Sequence, residues 1–269
     1  MSEPGSEAKQ ARPKHWRSDL ETVRVLVRRA LNELFRVPGA AIPGILAPTI
    51  FFLGLTSVFG NLTQLTGFSS ASYQSFIIPV SLMQGAAFTG AATGVNLARD
   101  IEQGWFDRLL ATPAPRPVLL AGLVLSASLR ALLPAAFLLG IAFSTGAHWP
   151  GLLGLAIALI VVMGMAVVAA TWGTSLAFCF RTQSAAPLMQ AGMLILVLTT
   201  TAYAPLDLLT GWLQEVARIN PATQVLEAAR QGFVGDVSWA DTWPGLLALA
   251  GLATLFTLLA LRGMRRMTL

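Results

Sequence analysis

Long uncharged apolar runs separated by short polar stretches dominate the chain, and six of them are long enough to cross a bilayer as helices. A spanning helix needs roughly 20 predominantly apolar residues, because about 30 Å of hydrocarbon is crossed at about 1.5 Å per residue. The runs are Pro38 to Gly60, Phe76 to Ala98, Val118 to Phe143, Gly151 to Phe180, Ala185 to Ala204 and Pro244 to Leu261. The fourth is long enough to require tilt or a bend, with Thr171, Gly173 and Thr174 as the expected place. Pro43 and Pro48 predict kinks in the first, and Pro134 in the third. Between Asp19 and Arg36 the period changes: Leu20, Val23, Val27, Ala30, Leu31 and Leu34 share one helical face, and Glu21, Arg28, Arg29, Asn32, Glu33 and Arg36 the other. That pattern reads as an amphipathic helix lying along the cytoplasmic membrane surface, with a soluble helix packed on a partner as the lesser alternative. Residues 1–18 are polar and expected to form a disordered tail. No cleavable signal is expected, since the charged stretch before the first apolar run is too long.

Composition agrees with a membrane protein: the chain of 269 residues is 55% hydrophobic and only 12% charged, against about 25% charged in a soluble domain. Its excess of basic residues forms no continuous stripe, which argues against nucleic-acid binding. Their distribution instead fixes an orientation. Eight Lys and Arg precede Pro38, and Arg99, Arg108, Arg116, Arg181, Arg262, Arg265 and Arg266 occupy alternate connections and the tail. The opposite connections hold only Arg218 and Arg230. Basic residues favour the cytoplasmic side, so both termini are expected there, in keeping with an even span count. A single cysteine, Cys179, and two distant histidines, His15 and His148, supply neither a disulfide framework nor a metal cluster.

Two connections stand out. Between the second and third runs, RDIEQGWFDRLLATP mixes both charge signs with Trp105, Phe106, Leu109 and Leu110. It reads as a docking surface, or as an interfacial loop with its tryptophan at headgroup level. Between the fifth and sixth runs, Pro205 to Trp243 is too long to be structureless. Leu206, Leu209, Trp212, Leu213 and Val216 recur at helical spacing before Asn220-Pro221 ends the pattern, and a second short helix is predicted from Thr223 to Phe233. Such half-helices either dip into the outer leaflet under protein cover or lie as an interfacial hairpin.

The run RDIEQGWFDRLLATPAPRPVLLAG resembles the segment after the second span of the ABC-2 family of export permeases, particularly those similar to daunorubicin-resistance exporters. A second stretch, PLDLLTGWLQEVARINPATQVLEAARQGFVG, is similar to the family's outer segment with its Asn-Pro and downstream arginine. The resemblance extends over most of Asp19 to Arg262. It implies an all-α integral membrane protein with six spans, an N-terminal amphipathic interfacial helix and a re-entrant hairpin between spans five and six, in one transmembrane domain over residues 19–269. It further implies a bacterial inner-membrane location, a separate ATP-binding subunit that binds ATP and Mg, and a second copy of this chain or a related permease. Carried over by position, Asp100, Glu102, Gly104, Trp105, Phe106, Asp107, Arg108 and Leu109 would form the coupling surface for the ATPase. The hairpin, with Trp212, Asn220, Pro221 and Arg230, would serve as an outer gate.

Further candidates come from the residues themselves. Arg130 stands mid-way through the third span, where insertion costs roughly 2.5 to 3.5 kcal/mol, so it should face protein or a wet cavity. It is either a contact for an anionic substrate group or a structural charge held by carbonyls, by Gln84, Asn96 or Gln190, or by outer-loop acids. Met189 and Met193, with Thr199, Thr200 and Thr201, could line a passage suited to varied apolar ligands, although threonines also bond back to their own helix. Ala86, Gly90, Gly94 and Ala98 recur every four residues and permit close helix packing. No phosphate-cradling G-x-x-x-x-G-K-[ST] occurs, so any ATP hydrolysis belongs to another subunit. No G-x-S-x-G motif or metal-ligand set supports an intramembrane enzyme. Rings of like charge expected of a channel are not evident. An assembly factor remains a rival, and a polysaccharide exporter is the alternative within the family. Scarce tryptophan within the spans favours an amphipathic drug, lipid or lipid-like metabolite over sugar.

Overall fold

A computed structural model describes residues 21–25, 27–28, 32, 38–60, 72–110 and 115–267. The tail over 1–18 and most of the segment over 19–36 lie outside these, although residues 21–25, 27 and 28 are helical. Among the described residues the fold is all helical, with no strand. Helix α1 spans Pro38–Phe59, α2 Tyr73–Glu102, α3 Trp105–Leu110, α4 Arg116–Ser144 and α5 Gly151–Phe180. After them come α6, Ala186–Leu198, α7, Trp212–Ile219, α8, Pro221–Val234, and α9, Trp239–Arg265. Four of these, α2, α4, α5 and α9, are long and apolar enough to cross a membrane. Shorter apolar helices cover Gly44–Phe59 and Gln183–Leu198.

Burial explains why the least apolar of the long helices still suits a span. In its most apolar stretch α2 is 83% buried, against 22% for α9. Surrounded by protein, α2 can carry Gln84 and Thr93 without presenting them to lipid. The outer α9 instead exposes Leu247, Leu255 and Leu258. Two apolar cores fill the bundle. One gathers Ile77, Met83, Leu138, Met165, Leu226 and Phe233; the other, at the end carrying α3, gathers Leu97, Phe106, Leu120, Phe178, Met189 and Met264.

The small residues of α2 work inside the protomer. A Cβ on Gly94 would lie 2.3 Å from the backbone carbon of Gly173, and one on Gly90 would lie 2.5 Å from the Ala166 carbonyl oxygen. Helix α5 passes through Thr171–Thr174, the expected place of a bend, without interruption. Thr171 bonds back to the Val167 and Val168 carbonyls, and Gly173 is the crossing point against α2. Gly94→Leu should therefore lower stability by about 3 kcal/mol or more through overpacking. Gly251, where an added Cβ would meet nothing within 4 Å, should tolerate alanine. Thermal unfolding in detergent separates the two, and equal midpoints would show that the crossing is not tight.

Three boundaries differ from the sequence reading for local reasons. The fifth run stays helical only to Leu198, because the threonines that follow bend the chain: Thr199 and Thr200 hydroxyls return to the Ile195 and Val197 carbonyls. The final helix begins at Trp239, five residues before Pro244, because Ser238 caps it by accepting the Asp241 N–H. Helix α7 begins at Trp212, since Gly211 adopts φ +64° and Leu206–Leu208 forms a separate 3₁₀ turn.

Candidate functional site

The helices gather the sequence-predicted residues at two opposite ends of the bundle. One end holds the C-termini of α2, α5 and α9 and the N-termini of α4 and α6. Helix α2 continues to Glu102, beyond the predicted span end at Ala98. Gly104 at φ +68° turns the chain, a conformation that favours glycine, and α3 follows at once. Phe106 is 0% exposed and packs on Phe178 with ring centroids 5.6 Å apart. It therefore anchors α3 from below instead of facing outward with its neighbours. Glu102, Asp107 and Arg108 are exposed, while Asp100, Gly104, Trp105 and Leu109 are half-buried.

Glu102 links two connections at this end. Its carboxylate accepts from the Thr182 hydroxyl at 2.5 Å and the Gln183 N–H at 3.1 Å, joining the α2–α3 corner to the α5–α6 loop. Arg116 donates to the carbonyls of Met264, Arg265 and Met267 at 3.0, 3.4 and 3.1 Å, closing the end of α9. Cations suit helix C-termini because the final carbonyls carry partial negative charge. Neither partnership is visible in the sequence, where Glu102 and Thr182 are eighty residues apart.

At the other end Arg230 forms a hub. It is 4% exposed and its guanidinium lies 3.7 Å from the centre of the Phe76 ring. It donates to the Phe76 carbonyl at 3.3 Å, to the Thr201 carbonyl at 2.7 Å and to the Ala202 carbonyl at 3.4 Å. Its charge is balanced by Glu227 at 2.7 Å, one helical turn away. The Thr201 hydroxyl donates to the same carboxylate at 2.5 Å. Arg230 thus satisfies carbonyls left unpaired where α6 ends. Asn220 acts on the same helix end: its amide donates to the Leu196 and Thr199 carbonyls at 2.9 and 3.3 Å, and its carbonyl oxygen accepts the Ala222 N–H at 2.9 Å. Asn at the cap with Pro221 at the first helical position is the favoured start of a helix, which is why Asn-Pro separates α7 from α8. A cleft of about 550 Å³ opens beside the hub, lined by Phe76, Thr201, Glu227, Arg230 and Pro244 among others. Trp212 is 71% exposed on α7 and does not join the hub.

Between the ends, Arg130 is half-buried in α4 and donates to the Thr93 hydroxyl of α2 at 2.7 Å. It also donates to the Ser126 carbonyl at 3.4 Å. Gln84 is committed elsewhere, to the Tyr203 hydroxyl at 3.0 Å. Met189 and Met193 are buried in the two cores, Thr201 is buried at the hub, and Thr200, also buried, bonds back to the Val197 carbonyl. Among the described residues no group of three or more His, Cys, Asp or Glu is arranged to hold a metal.

Similarity to known proteins decides the family, because the ABC-2 type transporter family matches residues 21–234. The chain belongs to the ABC-2 type transporter family. This permease is 28% identical over 240 residues to the daunorubicin resistance ABC transporter permease protein DrrB1 of Streptomyces coeruleorubidus, covering 87% of this chain and 82% of that one. It is 27% identical over 220 residues to the probable doxorubicin resistance ABC transporter permease protein DrrC of Mycobacterium tuberculosis strain H37Rv, covering 80% and 75%. A putative transport permease, ycf38, of Cyanophora paradoxa is 27% identical over 218 residues, covering 78% and 73%. The family match contains the α2–α3 corner, Arg130 and the Arg230 hub of the permease. Glu227 escapes the sequence reading, although its place three residues before Arg230 is the signal that could have found it.

Proposed function

We propose that this permease is the membrane subunit of an ATP-driven exporter that moves a hydrophobic or amphipathic compound, a drug, lipid or lipid-like metabolite, out of the cytoplasm or inner leaflet. A separate ATP-binding subunit carries ATP and Mg, and two permeases form the transport unit. In this reading α1, α2, α4, α5, α6 and α9 are six spans, and α7–α8 is a re-entrant hairpin. Both termini face the cytoplasm of a bacterial inner membrane.

The observation that carries this reading is the division of labour between the two ends. The end bearing Arg99, Arg108, Arg116, Arg181, Arg262, Arg265 and Arg266 also bears the α2–α3 corner, whereas the opposite end has two arginines, both on the hairpin. Positive charge marks the cytoplasmic side, where an ATPase would dock on Asp100, Glu102, Gly104, Trp105, Asp107, Arg108 and Leu109. Phe106 supports that surface from beneath. At the outer end, Trp212, Asn220, Pro221 and Arg230 belong to the gate. Arg130 faces the transport path, which Met189, Met193 and Thr199–Thr201 line once α6 moves. A drug-like substrate is favoured because relatives bear the names of daunorubicin and doxorubicin resistance permeases.

The test is reconstitution of the permease with a candidate ATP-binding subunit, in liposomes supplied with ATP on the side where that subunit docks. Daunorubicin flux that requires both subunits and ATP is expected. Equal flux from the permease alone would overturn the reading, as would labelling that puts either terminus outside the cell.

A further inference from the structure

The last turns of α5 and α9 enclose a cleft of about 570 Å³ at the end of the bundle that carries the α2–α3 corner. Its rim holds three exposed arginines, Arg181, Arg262 and Arg266, and its lining contains no carboxylate. No ion pair joins any of the three to an acid among the described residues. Below the rim the walls turn apolar, through Trp172, Leu176 and Leu259. The two helices meet at the floor, where a Cβ on Gly263 would lie 2.9 Å from the Phe178 Cβ. The apolar wall continues onto surface that faces no other part of the protomer, with Phe180, Leu255 and Leu258 exposed.

Charge at a helix C-terminus is favourable on its own account, and that explains one arginine per helix end. It does not explain why arginines from two helices converge on one concave site with an apolar lower half. The pattern of cations above hydrocarbon-facing walls matches an amphiphile whose anionic group lies at the membrane surface and whose chains lie beside α9. Basic pockets between spans on the cytoplasmic side bind such headgroups. We propose that this cleft binds one anionic phospholipid, its phosphate held by Arg181, Arg262 and Arg266 and its acyl chains lying along Leu255, Leu258 and Leu259. Arg181 is held at the rim by its backbone: at φ +57° it caps α5, directly after the last residues of that helix that line the cleft. The proposal rests on the membrane-crossing reading of α5 and α9 and not on the identity of the substrate or the ATPase.

Cys179 provides the probe, since it is the only cysteine in the chain, is exposed and lines the cleft. The full chain is placed in nanodiscs of phosphatidylcholine alone or with phosphatidylglycerol, and Cys179 modification by uncharged N-ethylmaleimide is followed by mass. Both leaflets have the same composition, so the outcome does not depend on which end faces the cytoplasm. Phosphatidylglycerol should slow modification about ten-fold, and native mass spectrometry should show phosphatidylglycerol retained. R262Q/R266Q should lower lipid occupancy by roughly five-fold for each charge removed and restore the faster modification. R262K/R266K, which keeps the charge, should retain protection and so separates lipid loss from misfolding. Equal slowing in wild type and R262Q/R266Q would reveal a bulk surface effect and overturn the proposal. Protection by millimolar inorganic phosphate in phosphatidylcholine nanodiscs would equally overturn it, in favour of a free-phosphate site.

Discussion

Arg230→Leu is expected to lower the stability of the permease by about 3 to 5 kcal/mol, the range for breaking a buried charge pair by removing one partner. The loss arises on several helices at once. Without the guanidinium, the carbonyls of Phe76, Thr201 and Ala202 lose a donor in a region that water reaches poorly, and the Glu227 carboxylate loses its cation. Because the Glu227 side chain is 42% exposed beside the cleft, water can partly replace that partner, which places the expectation near the lower end. Arg230→Lys should recover only part of the loss, since an ammonium cannot fork to separate carbonyls as a guanidinium does. Arg218 provides the control: it is exposed, stands 4.0 Å from Glu215, and Arg218→Leu should change stability by less than about 1 kcal/mol. Thermal unfolding and monodisperse yield in detergent check the series. Equal midpoints for Arg230→Leu and Arg218→Leu would remove the hub as the element that holds this end of the bundle together.

The same hub shows how much of the site is legible in the sequence. Arginine in the outer segment is visible from the first reading, and Asn220-Pro221 marks the helix start by residue type alone. What they hold is not visible, because the carbonyls of Thr201 and Ala202 become available only where α6 stops, and α6 stops earlier than its apolar run. A hydropathy pattern registers that threonines are tolerated in a span; it does not register that Thr199 and Thr200 turn their hydroxyls back on the helix and help end it. Helix α5 shows the converse. Gly173 between two threonines looks like a weak point, yet in three dimensions it is where α2 approaches most closely. Four-residue spacing on α2 is legible, whereas the partner of that stripe is not, since periodicity fixes a face and says nothing of what lies against it. Phe106 reads as part of an outward surface for a similar reason. In a helix as short as α3, one aromatic must face down for its neighbours to face out, and the sequence does not state which.

That division within α3 determines the second large effect. Under the coupling role proposed above, Trp105→Ala with Asp107→Asn is expected to reduce ATP-dependent transport by roughly thirty-fold, the loss that follows when a buried aromatic hot spot of about 2 kcal/mol is removed from an interface. Stability should fall less than on loss of Phe106, because Asp107 is exposed, Trp105 is only half-buried and the anchor of the helix, Phe106 against Phe178, is untouched. ATP hydrolysis by the partner should continue without stimulation by substrate, since the hydrolytic machinery lies on the other subunit. Phe106→Ala should behave differently. It empties a fully buried aromatic site next to Leu97, Leu120 and Met264, and the expected cost of about 3 to 5 kcal/mol falls on folding before coupling is reached. Measuring unfolding, ATPase stimulation and flux on the same preparations distinguishes these outcomes. Flux and substrate-stimulated hydrolysis that survive the Trp105 and Asp107 substitutions would move the ATPase contact away from this corner. The Thr182 side of the Glu102 link would then become the surface to test, because Glu102 joins the two loops into one face.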